Sequence, residues 1–433
     1  MYRTERFFVY LYILPFSLDF KGAEDGGSVI QFFFLATVLF AGIVLIASFS
    51  KIPAIKSIPH KLKIIHNIWW FYLASSILTA LINQVPIGNY VRVMLPYFLS
   101  GFSMLIVIMI YSRGRDLNIF FAPILWALWT SVCWTAVYAV AFLNIPLNEM
   151  RYQIVSPLLV VFLAYGIVLL LTQKKISKMA MAIGLTCIVI IVISVTRSLL
   201  LSAAFILFFI FVVYPQSQRR PLIKKAVRLF MPLAILMVIA IPLIMVFRPD
   251  AFTAWQLRLF SQQEDLGFDV TTVTRLAEYS GQMKMLFENF TSAFFGRGMG
   301  SVYYWDPLYY DQISQVIDIT KLEESVRWSN GHSLWVYSIY SGGLLFGWLI
   351  PFCVLSAAYI TYKDIKNNIS DINERHKSRV LFFYVIGIAI LSATFTANPL
   401  GVRLVGMFYG LAITLPILYL KQVKELQIIG RVK

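Results

Sequence analysis

Residues 28–50 read SVIQFFFLATVLFAGIVLIASFS, a run with no charged position. About 20 apolar residues in a helix cross the ~30 Å hydrocarbon core of a bilayer, so this stretch is long enough by itself. KIPAIKSIPHKLK follows, placing four lysines between Lys51 and Lys63. Working outward, the same alternation of apolar runs and short basic segments recurs along all 433 residues. Hydrophobic residues make up 59 % and charged residues only 13 %, with mean hydropathy +0.75. A soluble domain carries about 25 % charged residues, so this chain cannot cover a water-facing surface. The composition excludes a soluble enzyme, a disordered chain and a disulfide scaffold. It predicts an all-α polytopic membrane protein.

Twelve spans are expected, at 7–20, 28–50, 64–83, 90–111, 119–143, 153–172, 178–195, 198–214, 229–247, 333–361, 380–396 and 402–420. The first is short, contains Pro15 and lacks a following small-residue cleavage site, so it is read as retained. If both termini are cytoplasmic, 25 of the Lys and Arg residues fall inside with six acids, leaving 12 basic and 15 acidic residues outside. Inside is then +19 and outside −3, as the positive-inside rule requires. Basic runs between spans explain the net charge of +16 without nucleic acid, which needs a basic patch on a soluble face. Cys133, Cys187 and Cys353 each lie within an apolar run and read as core residues, with no disulfide expected.

The chain divides into nine spans over 1–247, a large outer loop over 248–332, and three spans with a tail over 333–433. An 85-residue loop without a role is uncommon. The outer side holds nine Arg and three Lys, whereas the inner side holds ten Arg and fifteen Lys. Orientation alone does not select Arg, but its planar fork binds phosphate oxygens bidentately. Arg92, Arg197, Arg248 and Arg403 stand at or near membrane level. Arg197 lies where two apolar runs meet at Thr196-Arg197-Ser198. Such an Arg either snorkels to headgroups or serves a site at the outer mouth.

Within the loop, 270–290 (VTTVTRLAEYSGQMKMLFENF) predicts an amphipathic helix capped by Thr271 or Thr272. Its apolar stripe is Leu276, Tyr279, Met283, Leu286, Phe287 and Phe290. Arg275, at the edge of that stripe, is either a surface partner of Glu278 or Glu264 or a second phosphate clamp. Gly296, Gly298 and Gly300 in FFGRGMG permit positive φ, suiting either an anion nest or a helix-terminating turn. Tyr303, Tyr304 and Trp305, followed by Tyr309 and Tyr310, could stack on sugars or form an interfacial belt. Of four histidines, only His332 falls outside, in SNGHSLWVYSIYSGGLLFG. A histidine there is either structural or the natural proton acceptor near neutral pH.

Neutral His with several Arg, and no acidic pair, metal-ligand spacing, P-loop or dinucleotide fingerprint, suggests a particular chemistry. The leaving group would be an activated diphosphate, neutralised by arginine, while His332 removes a proton from an attacking hydroxyl. Neither metal nor cofactor is expected. Because the site faces outward, the donor should be lipid-borne. A flippase or exporter of the same lipid-linked sugars is the reading from another class, although no half-to-half repeat is visible.

The chain resembles the bacterial O-antigen ligase and Wzy-type polysaccharide polymerase superfamily. The likeness rests on about a dozen spans, the late outer loop, and three local patterns. These are T-R-S at Thr196–Ser198, the helix from Arg275 to the G-x-G turn at Gly296–Gly298, and G-H-S-L with Y-S-G-G at Gly331–Gly343. They cover roughly 150 residues in the same order. Ser333 departs from the Asn that commonly follows the histidine. The resemblance implies a multi-pass protein of the bacterial inner membrane. It would transfer a glycan from an undecaprenyl-diphosphate-linked oligosaccharide to an acceptor hydroxyl at the periplasmic face. Carried over, Arg197 and Arg275 clamp the diphosphate and His332 is the base. Arg403 and Arg92 are further candidates from topology alone. A polymerase is favoured over a ligase acting on lipid A–core. A flippase and a chain-length regulator are the partners implied, besides membrane lipid.

Overall fold

In a computed structural model the chain is described over residues 2–19, 29–144, 156–172, 197–247, 267–315, 327–395 and 397–432, with positions 182, 183, 185, 186, 252, 253 and 256. The helices are α1 (Tyr2–Ile13), α2 (Val29–Ser50), α3 (His60–Ile82), α4 (Ile87–Ser112), α5 (Phe121–Ala141), α6 (Pro157–Thr172), α7 (Arg197–Val213) and α8 (Gln216–Phe247). After them come α9 (Val270–Leu286), α10 (Phe290–Phe295), α11 (Leu334–Phe346), α12 (Leu349–Asn368), α13 (Glu374–Ala393) and α14 (Arg403–Val432). One two-stranded antiparallel ribbon, β1 (Tyr303–Tyr304) with β2 (Arg327–Trp328), lies between α10 and α11.

Among the described residues, six helical stretches are long and apolar enough to cross a membrane. They are α2, α3, α4, 117–141, 376–393 and 403–427. All six coincide with expected spans, and α6 and α7 are shorter apolar helices at two more. The protein is thus an all-α multi-pass membrane protein. The expected span 178–195 lies almost wholly outside the described residues, as do Arg248 and Glu264. Three other expectations change. The run 7–20 is broken: α1 stops at Ile13 and Pro15 opens a 3₁₀ turn, because proline cannot donate to the preceding helix. The run 229–247 is the later part of α8, which begins thirteen residues earlier in the basic segment. The run 333–361 is not one continuous helix. It is α11 and α12, bent by 109° around Gly347 and Trp348.

Helix α14 is the centre of the bundle, buried along nearly all its apolar length, whereas α2 is mostly exposed to its surroundings. It packs chiefly on α4 and α13. Gly406 and Gly410 allow this: a Cβ at either would collide with the backbone carbonyl of Pro96 or Ser100 on α4. Four-residue spacing of glycines is the membrane device for bringing two helix backbones together, since dispersion rather than water exclusion drives association in lipid. Toward its C-terminal end Glu425 pairs with Lys56 at 2.6 Å. Helix α13 in turn packs on α6 and α7, and α12 on α3.

The unit formed by α9, α10 and α11 rests on this frame. Helix α11 packs on α3, α9 and α10. Gly296 (φ +83°) and Gly343 (φ +63°) meet backbone to backbone, and a Cβ on either would strike the other's amide. Gly343 also interrupts the helical φ/ψ of α11, so the same contact that seats the loop breaks the helix.

Candidate active site

The site is built where α9 crosses the start of α11. Asp269 ends the preceding loop in extended conformation, and its carboxylate accepts from the Thr272 N–H at 3.1 Å, starting α9. The cap is therefore Asp269, not Thr271 or Thr272: a carboxylate complements the helix N-terminus better than a hydroxyl. The helix ends at Leu286, and its inward face is Val273, Ala277, Glu278, Gly281, Gln282 and Leu286. The expected stripe is largely on the other side, with Leu276 46 % and Phe287 58 % exposed. What α9 buries is a carboxylate.

Glu278 is fully buried and gathers donors from four directions. The backbone N–H of His332 donates to Oε1 at 2.8 Å, and the His332 ring meets Oε2 through Nδ1 at 3.0 Å. The Tyr303 hydroxyl donates to Oε1 at 2.6 Å, Gln282 Nε2 at 3.3 Å, and Arg275 NH1 to Oε2 at 3.1 Å. Burial alone would raise this carboxyl's pKa. The His332 ring and backbone N–H, together with Tyr303, bring it below the ordinary carboxylate range. Tyr303, pushed far up by burial and by the Glu278 charge, stays a protonated donor. An ionised carboxylate facing Nδ1 assigns the ring proton to that nitrogen and leaves the lone pair on Nε2. The ring is 26 % exposed, so it can reach a substrate.

Local structure fixes the histidine from both sides. Ser333 caps α11, accepting from the Val336 N–H at 3.4 Å, a task that Asn performs equally well. Trp328 stands edge-to-face with the imidazole at 4.8 Å. In the ribbon Trp328 is paired with Tyr303 and Arg327 with Tyr304. Opposite residues share a face, so the ribbon delivers Tyr303 and Trp328 to the same centre.

Of the arginines, Arg275 belongs to this centre. It and the His332 ring bond the same oxygen at 3.1 and 3.0 Å, so the two cations-to-be lie within 6.1 Å of each other. Its guanidinium is 29 % exposed. Arg275 thus pairs with Glu278 as expected, but with a buried carboxylate rather than a surface one. Arg197, first residue of α7, bonds Asp269 at 2.8 Å and so stands at the start of α9, 46 % exposed. Arg92 of α4 bonds the Ser329 hydroxyl at 2.6 Å, three residues before His332. Arg403 is elsewhere. Its guanidinium is 10 % exposed and ion-paired to Asp19 at 2.6 Å, with Gln31 as second partner. It ties α14 to the turn after α1, and a buried, compensated Arg is not available to a diphosphate.

The glycine turn has the expected positive φ at Gly296, Gly298 and Gly300, but it is not an anion nest. The N–H groups of Gly296, Arg297, Gly298 and Gly300 go to Ser292 O, Tyr340 O, Ser341 O and the Tyr337 hydroxyl. The aromatic run also divides. Tyr303 is buried and spent on Glu278, Trp305 is 7 % exposed, Tyr309 and Tyr310 are half-buried, and Tyr304 is 49 % exposed. Sequence reasoning treated Glu278 as a surface partner and did not single out Trp328 or Ser329. A lone Glu one turn after an Arg on an amphipathic helix carries no local sign of being buried.

No protein-family model matches the chain, and no curated protein matches its sequence. What fold and site define is therefore the class: a multi-pass helical membrane protein in which a carboxylate-oriented histidine stands beside an arginine.

Proposed function

We propose that the protein is a membrane glycosyltransferase that moves a glycan from a polyprenyl diphosphate to an acceptor hydroxyl on the outer membrane face. The observation that carries this reading is Glu278, shared by Nδ1 of His332 and the guanidinium of Arg275. One carboxylate orients a base and holds a phosphate-binding cation beside it.

In the step, Nε2 of His332 takes the proton of the acceptor hydroxyl as its oxygen attacks the anomeric carbon. The new C–O bond forms while the bond from that carbon to the diphosphate oxygen breaks, inverting the anomeric configuration. The polyprenyl diphosphate leaves with its charge met by Arg275, with Arg197 and Arg92 flanking. Glu278 stabilises the imidazolium that results, as a carboxylate does for any histidine base. The topology we assign is twelve spans with both termini cytoplasmic, in a bacterial inner membrane, with the site facing the periplasm. The charge split of the loops supports it.

Among acceptors we favour a second lipid-linked repeat, making the enzyme a polysaccharide polymerase. The test is the gel profile of surface glycans from a deletion strain complemented with wild type or His332→Ala. Core bearing a single repeat, with the ladder gone in the His332→Ala strain, is expected. Bare core with polymer held on the carrier would identify a ligase instead. An unchanged ladder with His332→Ala would remove the proposed base.

A further inference from the structure

Leu286 of the expected stripe is buried and Met283 packs partly on the core, but the rest of the apolar row of α9 is turned away from the bundle. Leu276 and Phe287 are exposed, with Tyr279 and Met283 partly so between them. Positions 276, 283 and 287 recur at seven and eleven residues, which is one face of a helix. Glu278 is nine residues from Phe287, half a turn around, on the opposite face. The stripe continues into α10, where Phe290 is 81 % and Phe294 38 % exposed, their rings stacked at 5.8 Å. A water-facing loop has no reason to present this row.

The row is also continuous with the lipid-facing surface of the spans. Phe294 abuts Gly343 through its carbonyl, Leu344 and Leu345 follow at 48 % and 44 % exposure, and Phe346 packs on Phe71 at 6.1 Å. Phe71, on the membrane-crossing helix α3, is itself 57 % exposed.

We propose that α9 and α10 lie on the outer leaflet as an interfacial anchor, with Leu276, Phe287, Phe290 and Phe294 inserted among the upper acyl chains. A helix with one apolar face and one polar face takes this position in a lipid surface. The consequence rests on the glycosyltransferase reading: α9 becomes a wall one helix thick, lipid on one side and the Glu278–His332 pair on the other. The site then meets the diphosphate of a membrane-embedded donor at headgroup depth.

The test uses the full chain in lipid bilayers, with Cys133, Cys187 and Cys353 replaced by Ala. Spin labels go at Phe290→Cys, Phe287→Cys and, as control on the same outer unit, Leu308→Cys, which is 77 % exposed. Labels at 290 and 287 should be reached by oxygen and shielded from a water-soluble nickel chelate, and the label at 308 should show the reverse. Nickel access at 290 equal to that at 308 would overturn the anchor. Shielding from both reagents would also overturn it, since that marks a protein partner or second copy covering the patch. If the cysteine-free chain does not fold, a benzophenone side chain at Phe290 in the native background reads the same contact. Crosslinks to lipid support the anchor, and crosslinks to protein overturn it.

A second arm separates the two readings. Phe290→Ser with Phe294→Ser should lower transfer about tenfold for a long-chain donor in vesicles and leave it unchanged for a short-chain donor in detergent. If the wild type turns over neither donor, the glycosyltransferase reading fails while the labelling result stands. If the double variant uses both donors as well as wild type, the functional consequence of the anchor falls.

Discussion

Two histidines stand at the starts of helices on opposite ends of the molecule, and their surroundings separate their roles. His332 precedes α11, and His376 lies in the first turn of α13, its N–H capped by Asn373 at 3.1 Å. Both engage Nδ1. For His332 the partner is a buried carboxylate at 3.0 Å, and for His376 it is the Tyr419 hydroxyl at 2.7 Å. Tyr419 in turn reaches Asn118, which Arg379 also bonds at 2.7 Å. A carboxylate fixes the tautomer and compensates the cation formed when the ring takes a proton. A phenol can donate or accept and carries no charge to offset an imidazolium. The same residue type in the same local setting is thus a candidate base at one end and a structural link at the other. The difference comes from a partner 54 residues away in one case and 43 in the other.

The largest expected effect breaks or keeps this contrast directly. His332→Ala should lower glycan transfer in reconstituted vesicles about 10²–10⁴-fold, the range for loss of a general base. His376→Ala should stay within a few-fold of wild type. Equal losses would show that neither histidine acts chemically.

Glu278→Gln comes next. The amide keeps the shape but releases the tautomer and the charge, so turnover should fall on the order of 10²-fold or more with little change in KM. A rise in KM alone would assign Glu278 to binding instead. The two arginines extend the comparison at about tenfold. Arg275→Lys keeps charge but loses the fork, and should reduce kcat/KM about tenfold with unchanged thermal stability. Arg403→Ala leaves Asp19 buried and unpaired, so it should cost about 3 kcal/mol of stability. Wild-type stability with lost turnover in Arg403→Ala would return that residue to the site.

The smallest effect is a pH signature. The folded pKa of Glu278 is depressed, so its contribution to stability is complete above the ordinary glutamate value of about 4.3. That contribution is lost as pH falls through the lower folded value. The gap in unfolding temperature between wild type and Glu278→Gln should therefore be constant above about pH 5 and close in stronger acid. A gap that widens as pH falls below about 5 would mean the carboxyl is protonated in the fold.

How far the sequence could be read differs by residue. The six long apolar helices were legible because hydropathy is local, and a run such as 28–50 needs no partner to declare itself. His332 and Arg275 were singled out by residue type and by their place in one long polar segment. The cap at Asp269 was missed by two positions, since three oxygen-bearing side chains stand almost together there. The break at Gly347 was hidden because α11 and α12 are both apolar, and composition is blind to a bend inside an apolar run. Arg403 was misread because membrane depth says where a guanidinium lies but not which carboxylate waits there.

The sequence by itself determined that this chain is helical, lies in a membrane and crosses it several times. Each of these depends on summed transfer free energy along a segment, a quantity that neighbouring residues fix. Only the tertiary structure decided which face of α9 is inside, and that the inside face holds Glu278. It also decided that His332 and Arg275 share that carboxylate while Arg403 is spent on Asp19. Those outcomes depend on distances between residues far apart in the chain. A charge is made costly or useful by whichever partner the fold brings within 3 Å of it.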